Sequence, residues 1–168
     1  MGGWEAGDRR HPPADWSVDL FFGRFLAAGL AVATVDYRLS AEAHHPAQLH
    51  DVKAAVRFVR LRAAALGVNP DRLGVAGESA GGHLAALIAL TAGQPALDGD
   101  VGREPTGAAT STAVRPAAVL YGVTDIAAQL DRGDLEPPRR RPLLRRRRPG
   151  RPAGDRRAIL ADRLGARR

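Results

Sequence analysis

Residues 73–87 read LGVAGESAGGHLAAL, and within them Gly77-Glu78-Ser79-Ala80-Gly81 has the Gly-x-Ser-x-Gly spacing of a serine nucleophile. A serine hydroxyl is weak at neutral pH. It needs a base to take its proton and hydrogen-bond donors to hold the oxyanion formed on attack. A valine-bearing apolar run precedes Ser79 and a helical pattern follows it, so the spacing predicts a sharp strand-to-helix turn that projects the hydroxyl into open space. The flanking glycines, lacking Cβ, are expected to let neighbouring backbone pass. The Ala80 amide, in the first helical turn, is then a candidate oxyanion donor, and losing one such donor costs roughly 3 kcal/mol in the transition state.

On turns of this kind the acid and then the histidine base follow the serine along the chain. After Ser79 the only histidine is His83, one turn along the same helix, where its ring is not expected to reach the serine oxygen as a base. Asp125 follows a later apolar run and is expected to be structural. His11 sits in RRHPP, while His44, His45 and His50 gather around the start of a long helical pattern. With no cysteine in the chain and no evident carboxylate spacing beside them, these histidines suggest surface or helix-capping roles and not a metal site. No metal or cofactor is expected. Asp36 and Arg38 are expected to make structural polar contacts at the end of their strand.

The elements that must position Ser79 follow from apolar periodicity. Trp16, Leu20, Phe21, Phe25 and Ala28 recur near the helical period, with Asp15 as N-cap and Gly29 as stop. LAVATVDY (30–37) is short and apolar and suits a strand buried on both faces. Leu49, Val52, Val56, Val59 and Ala63 line one side of a long helix that opens near Pro46 and ends at Gly67. A turn and a very short strand lead to the serine, a helix leaves it, and RPAAVLYG (115–122) reads as another buried strand. The intervening Gly-, Pro-, Thr- and Asp-rich stretch, 93–112, reads as a surface loop. Alternating helices and buried strands predict an α/β fold with a mostly parallel sheet.

The chain has 168 residues and a formal net charge of +7. Residues 1–131 carry ten Arg, one Lys and fourteen Asp or Glu, a net of −3, whereas residues 132–168 carry fourteen Arg and four Asp or Glu, a net of +10. The basicity therefore belongs to residues 132–168, an Arg- and Pro-rich, low-complexity tail whose composition predicts disorder. Residues 1–131 form the predicted domain. No run approaches the roughly 18 apolar residues of a membrane span, and residues 1–30 lack a signal-peptide core. No membrane partner is expected, and a cytoplasmic location is the default.

DYRLS (36–40), HPAQLHDVKAAVRFVR (45–60), GVNPDRLGVAGESAGGHLAAL (67–87) and YGVTD (121–125) together resemble successive segments of α/β-hydrolase carboxylesterases. The resemblance is to the feruloyl-esterase-like branch, with the hormone-sensitive-lipase-like esterases as cousins. It covers residues 1 to about 130 and implies a partial α/β-hydrolase fold. The family's oxyanion loop reads His-Gly-Gly-Gly-Trp; here Met1-Gly2-Gly3-Trp4 stands in its place, with Met1 at the first glycine and no histidine. The resemblance implies that Gly2 and Gly3 supply the second half of the oxyanion hole, and leaves Trp4 either a pocket wall or a core residue. It also implies a strand between residues 30–37 and the strand before Ser79, which the chain as read here does not contain.

Three functional readings follow. The first is hydrolysis of a small-molecule carboxylic ester by Ser79, with Ala80, Gly2 and Gly3 as oxyanion donors. The second is a catalytically incomplete member lacking the triad Asp and His. The third is nonspecific binding of nucleic acid or another polyanion through the Arg-rich tail.

Overall fold

A computed structural model of the chain describes residues 2–11, 22–101 and 110–133. The predicted tail beyond residue 133, most of the predicted first helix with its N-cap Asp15, and residues 102–109 lie outside the described residues.

Among the described residues eight elements run in the order α1 (Gly23–Ala27), α2 (Ala47–Leu61), α3 (Ala63–Leu66), β1 (Val75–Glu78), α4 (Ser79–Leu90), α5 (Pro95–Asp98), β2 (Ala117–Leu120) and α6 (Ile126–Asp131). The two strands pair in parallel, Val75 opposite Ala117 through to Glu78 opposite Leu120. A parallel pair requires a crossover, and α4 with α5 supplies it. Helix α4 packs against both strands, and α2 packs against α4 and α5. The result is the parallel, helix-flanked α/β arrangement expected. Its core gathers Trp4, Tyr37, Leu49, Ala80, Leu84, Ile88, Val114 and Val123.

Residues 30–37 correct the expectation of a doubly buried strand. They form no strand among the described residues, and Leu30, Val32 and Val35 are exposed. A strand is stabilised by ladder bonds and by side chains packed across it, and this segment has no described ladder partner. Its polar end behaves as expected: Asp36 accepts from the Arg9 amide at 2.6 Å and pairs with the Arg9 guanidinium. Arg38 grips Asp51 through Nε (2.9 Å) and Nη2 (2.8 Å). The strands that do form are also less buried than predicted, for Ala117, Ala118 and Val119 of β2 are exposed.

The predicted long helix breaks at Arg62, with α3 continuing to Gly67, which takes the left-handed φ of 67° that ends it. Leu49 and Ala63 are buried, and Val52 and Val56 pack against the core. The most buried residues of α2 nevertheless include two cations, Lys53 and Arg57, both 0% exposed. Lys53 Nζ donates to the Thr91 carbonyl at 2.6 Å and to Asp98 Oδ1 at 2.7 Å. Arg57 donates to the carbonyls of Val101 (3.0 Å) and Thr110 (3.2 Å). Arg60 reaches the carbonyls of Pro70 (3.0 Å), Ala113 (2.8 Å) and Ser111. Spaced four and three residues apart, the cations share one helix face and fasten the connection between α4 and β2. The predicted surface loop is thus partly interior: it contains α5, and Asp98 and Thr112 are buried.

Candidate active site

Ser79 stands where β1 becomes α4. Its φ of 48° lies in the left-handed region, which costs a residue with a Cβ roughly 1–2 kcal/mol. Strain of this kind persists only where the surroundings fix it. Here glycines do so. A Cβ on Gly77 would stand 2.2 Å from the Gly81 carbonyl oxygen, and one on Gly82 would stand 2.9 Å from both Gly122 Cα and the Leu120 carbonyl oxygen. The strand can therefore fold back on the first turn of α4, and α4 can lie directly on the end of β2. Gly81 differs from the expectation for a flanking glycine, since a Cβ there would meet nothing within 4 Å. The second close approach belongs to Gly82.

Ser79 Oγ has no hydrogen-bond partner among the described residues. No side chain caps the N-terminus of α4, so its first amides, Ala80 included, keep the positive end of the helix dipole uncapped.

Residues 2–6 form a tight turn. The Gly2 amide donates to the Ala6 carbonyl at 3.1 Å, and the Glu5 and Ala6 amides donate back to the Gly2 carbonyl at 3.0 and 3.3 Å. The Gly3 amide has no partner among the described residues. Trp4 fixes this turn to the body: it is 5% exposed, and its carbonyl accepts from the Ser40 amide at 2.8 Å. Its indole meets the His83 ring edge-on, with centroids 5.4 Å apart and planes at 87°. Of the two roles left open for Trp4, core packing is the one observed.

No hydrogen bond joins His83 to Ser79 among the described residues. The His83 Nδ1 is bonded to the Val123 carbonyl at 2.6 Å, and its ring serves as the surface on which Trp4 rests. Asp125 is structural as expected, capping α6 by accepting from the Ala128 amide at 2.9 Å. His11 is exposed and pairs with Asp8 at 2.9 Å, and that bond holds the Asp8 carboxyl below its usual range. His44, His45 and His50 correct the surface reading, because all three are partly buried. The His50 ring lies so close to Gly99 that a Cβ there would fall 2.8 Å from its Cγ. Burial disfavours the imidazolium at His45 and His50 and lowers both pKa values. The Tyr37 phenol is pushed up to about 12, also by burial. No cluster of three or more His, Cys, Asp or Glu able to hold a metal occurs among the described residues.

Two features were missed in the sequence. One is the Trp4–His83 contact, foreshadowed only by a lone histidine on an otherwise apolar helix. The other is Tyr121, which follows β2 with φ 37° and donates its phenol to Glu78 Oε2; the YG dipeptide after an apolar run was its only trace.

The family model described as BD-FAE matches residues 2–143, most of the chain. The chain belongs to the BD-FAE family. It is thereby placed among the α/β-hydrolase carboxylesterases, as the resemblance implied. Esterase LipQ of Mycobacterium tuberculosis is 40% identical over 103 residues, covering 61% of this chain and 23% of LipQ. Carboxylesterase NlhH of the same organism is 41% identical over 93 residues, covering 54% of this chain and 27% of NlhH. Among solved structures, the bifunctional GH43-CE protein of Bacteroides eggerthii superposes with a TM-score of 0.62 at 33% identity, covering 73% of this chain and 16% of that one. The BD-FAE chain thus spans about a quarter of the length of the curated relatives it matches. Among the described residues no helix is long and apolar enough to cross a membrane.

Proposed function

We propose that the junction of β1 and α4 is the nucleophile site of a carboxylic-ester hydrolase acting on small-molecule esters. Ser79 Oγ attacks the ester carbonyl carbon, the C–O bond to the alcohol breaks, and water clears the resulting acyl-enzyme. The carbonyl oxygen, negative in the tetrahedral intermediate, takes hydrogen bonds from the Ala80 and Gly3 amides. Gly2 can join them by exchanging its bond to Ala6. The observation that carries this reading is the left-handed φ of Ser79 at a glycine-tight strand-to-helix turn, beside a helix N-terminus that no side chain caps. An ordinary connection would have no cause to hold a serine in strain.

A second reading is favoured by the absence of any histidine hydrogen-bonded to Ser79 among the described residues. In that reading the chain binds and polarises an ester but turns it over slowly. Loss of the base lowers rate by several orders of magnitude while oxyanion stabilisation and binding remain.

Labelling of the purified chain with a fluorophosphonate probe, run beside Ser79→Ala and beside hydrolysis of p-nitrophenyl acetate, tests both. Labelling and turnover that vanish in Ser79→Ala are the expected result for a hydrolase. Absence of both labelling and turnover selects the second reading, because a serine without its base is not activated toward the probe.

A further inference from the structure

Three non-glycine residues among those described adopt positive φ: Trp4, Ser79 and Tyr121. The strain at Trp4 accompanies a buried indole, and that at Ser79 accompanies the nucleophile position. Tyr121 has neither explanation.

Its place is fixed by register. Glu78 pairs with Leu120 at the ends of the two strands, so Ser79 and Tyr121 are the next residues on adjacent parallel chains. Both leave their strands in the same left-handed conformation, at 48° and 37°. The backbone beside Tyr121 has little room to relax. A Cβ on Gly122 would stand 2.8 Å from the Gly82 carbonyl carbon, in the first turn of the serine helix.

Folding stability does not account for a tyrosine here. The ring is 72% exposed, so it contributes little of the burial that makes an aromatic stabilising, while its φ is unfavourable for any side chain with a Cβ. The phenol is nevertheless held, donating to the carboxylate of Glu78, the residue immediately before the nucleophile. An exposed aromatic face with its far end tethered, one position across the sheet from Ser79, is suited to a flat ligand group. Aromatic pairs gain about 0.5–1.5 kcal/mol beyond their area burial.

We propose that Tyr121 is a substrate-contacting, specificity-determining residue of the Ser79 site, its tethered ring forming the wall against which an aryl group of the ester lies. This rests on the nucleophile reading above and adds to it a preference for flat over saturated rings. The aryl group can belong to either side of the ester, acyl or alcohol.

The test uses amide isosteres, which bind without being cleaved. Dissociation constants of N-phenylacetamide (aryl on the leaving side), N-ethylbenzamide (aryl on the acyl side) and N-cyclohexylacetamide are measured by ligand-observed NMR. The proteins are the full chain, Tyr121→Phe, which keeps the ring, and Tyr121→Asn, whose side chain tolerates left-handed φ. At least one aryl amide is expected to bind about 3- to 10-fold more tightly than the cyclohexyl compound, and which one does identifies the side of the ester. Tyr121→Phe keeps that preference and Tyr121→Asn abolishes it. No preference in the parent chain, or a preference that survives in Tyr121→Asn, overturns the proposal. Should Tyr121→Asn fail to fold, protection of the Tyr121 ring resonances by the preferred amide decides instead, and rings that do not respond overturn it. Failed fluorophosphonate labelling with an intact aryl preference refutes the nucleophile reading alone, while intact labelling without the preference refutes this proposal alone.

Discussion

The elbow around Ser79 and the inner face of α2 are held by opposite means. At the elbow, Gly77, Gly82 and Gly122 bring main chain against main chain because no side chain intervenes. On α2, Lys53, Arg57 and Arg60 are among the longest side chains available, and they span to carbonyls elsewhere in the fold. The first arrangement is rigid and intolerant of a single added carbon. The second depends on charge satisfied away from water, so its weakness is an unpaired partner. A site that must hold a strained serine is built the first way, and the support behind it is built the second way.

The strongest way to break the comparison is at Gly77. Gly77→Ala would put a Cβ 2.2 Å from the Gly81 carbonyl oxygen, so the elbow is expected not to form, at a cost above about 5 kcal/mol. Urea denaturation and loss of fluorophosphonate labelling would measure it. Gly81→Ala, with open space around the new carbon, is expected instead to stabilise α4 by up to about 1 kcal/mol. If the two variants behave alike, glycine contact is not what makes the elbow.

Next in size is Lys53→Met, which leaves Asp98 buried without its cation and is expected to cost about 3–5 kcal/mol. Adding Asp98→Leu should recover most of that loss in chemical denaturation. A single substitution as mild as the double would show that the pair contributes little.

The smallest effect is expected where neither means operates. Val32 is 38% exposed and has no described ladder partner, so Val32→Thr should change the melting midpoint by an amount equivalent to no more than about 0.5 kcal/mol. A loss above 1.5 kcal/mol, itself about the value of burying such a side chain, would mean that residues 30–37 are packed after all.

These contrasts explain what could be read in advance. The elbow was legible because its causes are local: Gly77, Ser79 and the apolar runs beside them lie within a few residues, and the predicted start of α4 at Ser79 matches the structure. The structural roles of Asp125, Asp36 and Arg38 were legible for a similar reason, being polar groups at element ends, whereas the partners Arg9 and Asp51 lie too far along the chain to be read. Residues 30–37 were misread because a strand is completed by its neighbour, and apolar content alone says nothing of a partner. The inner face of α2 was half legible. Periodicity located Leu49 and Ala63, but it assigns Lys53 and Arg57 to water, although their spacing with Arg60 on one helix face was the available sign. The pairing of Trp4 with His83 and the level of Tyr121 with Ser79 join positions far apart in the chain, which no local pattern records.

In the connection between α4 and β2 the cations of α2 mostly grip main-chain carbonyls, those of Thr91, Val101, Thr110, Ser111 and Ala113. A carbonyl is the same acceptor whatever side chain its residue bears. The connection between α4 and β2 is therefore free to drift in sequence, accepting substitutions at those positions that leave the backbone path alone, while Lys53, Arg57 and Arg60 are not. Diversity can accumulate on the clasped segment without unfastening the clasp.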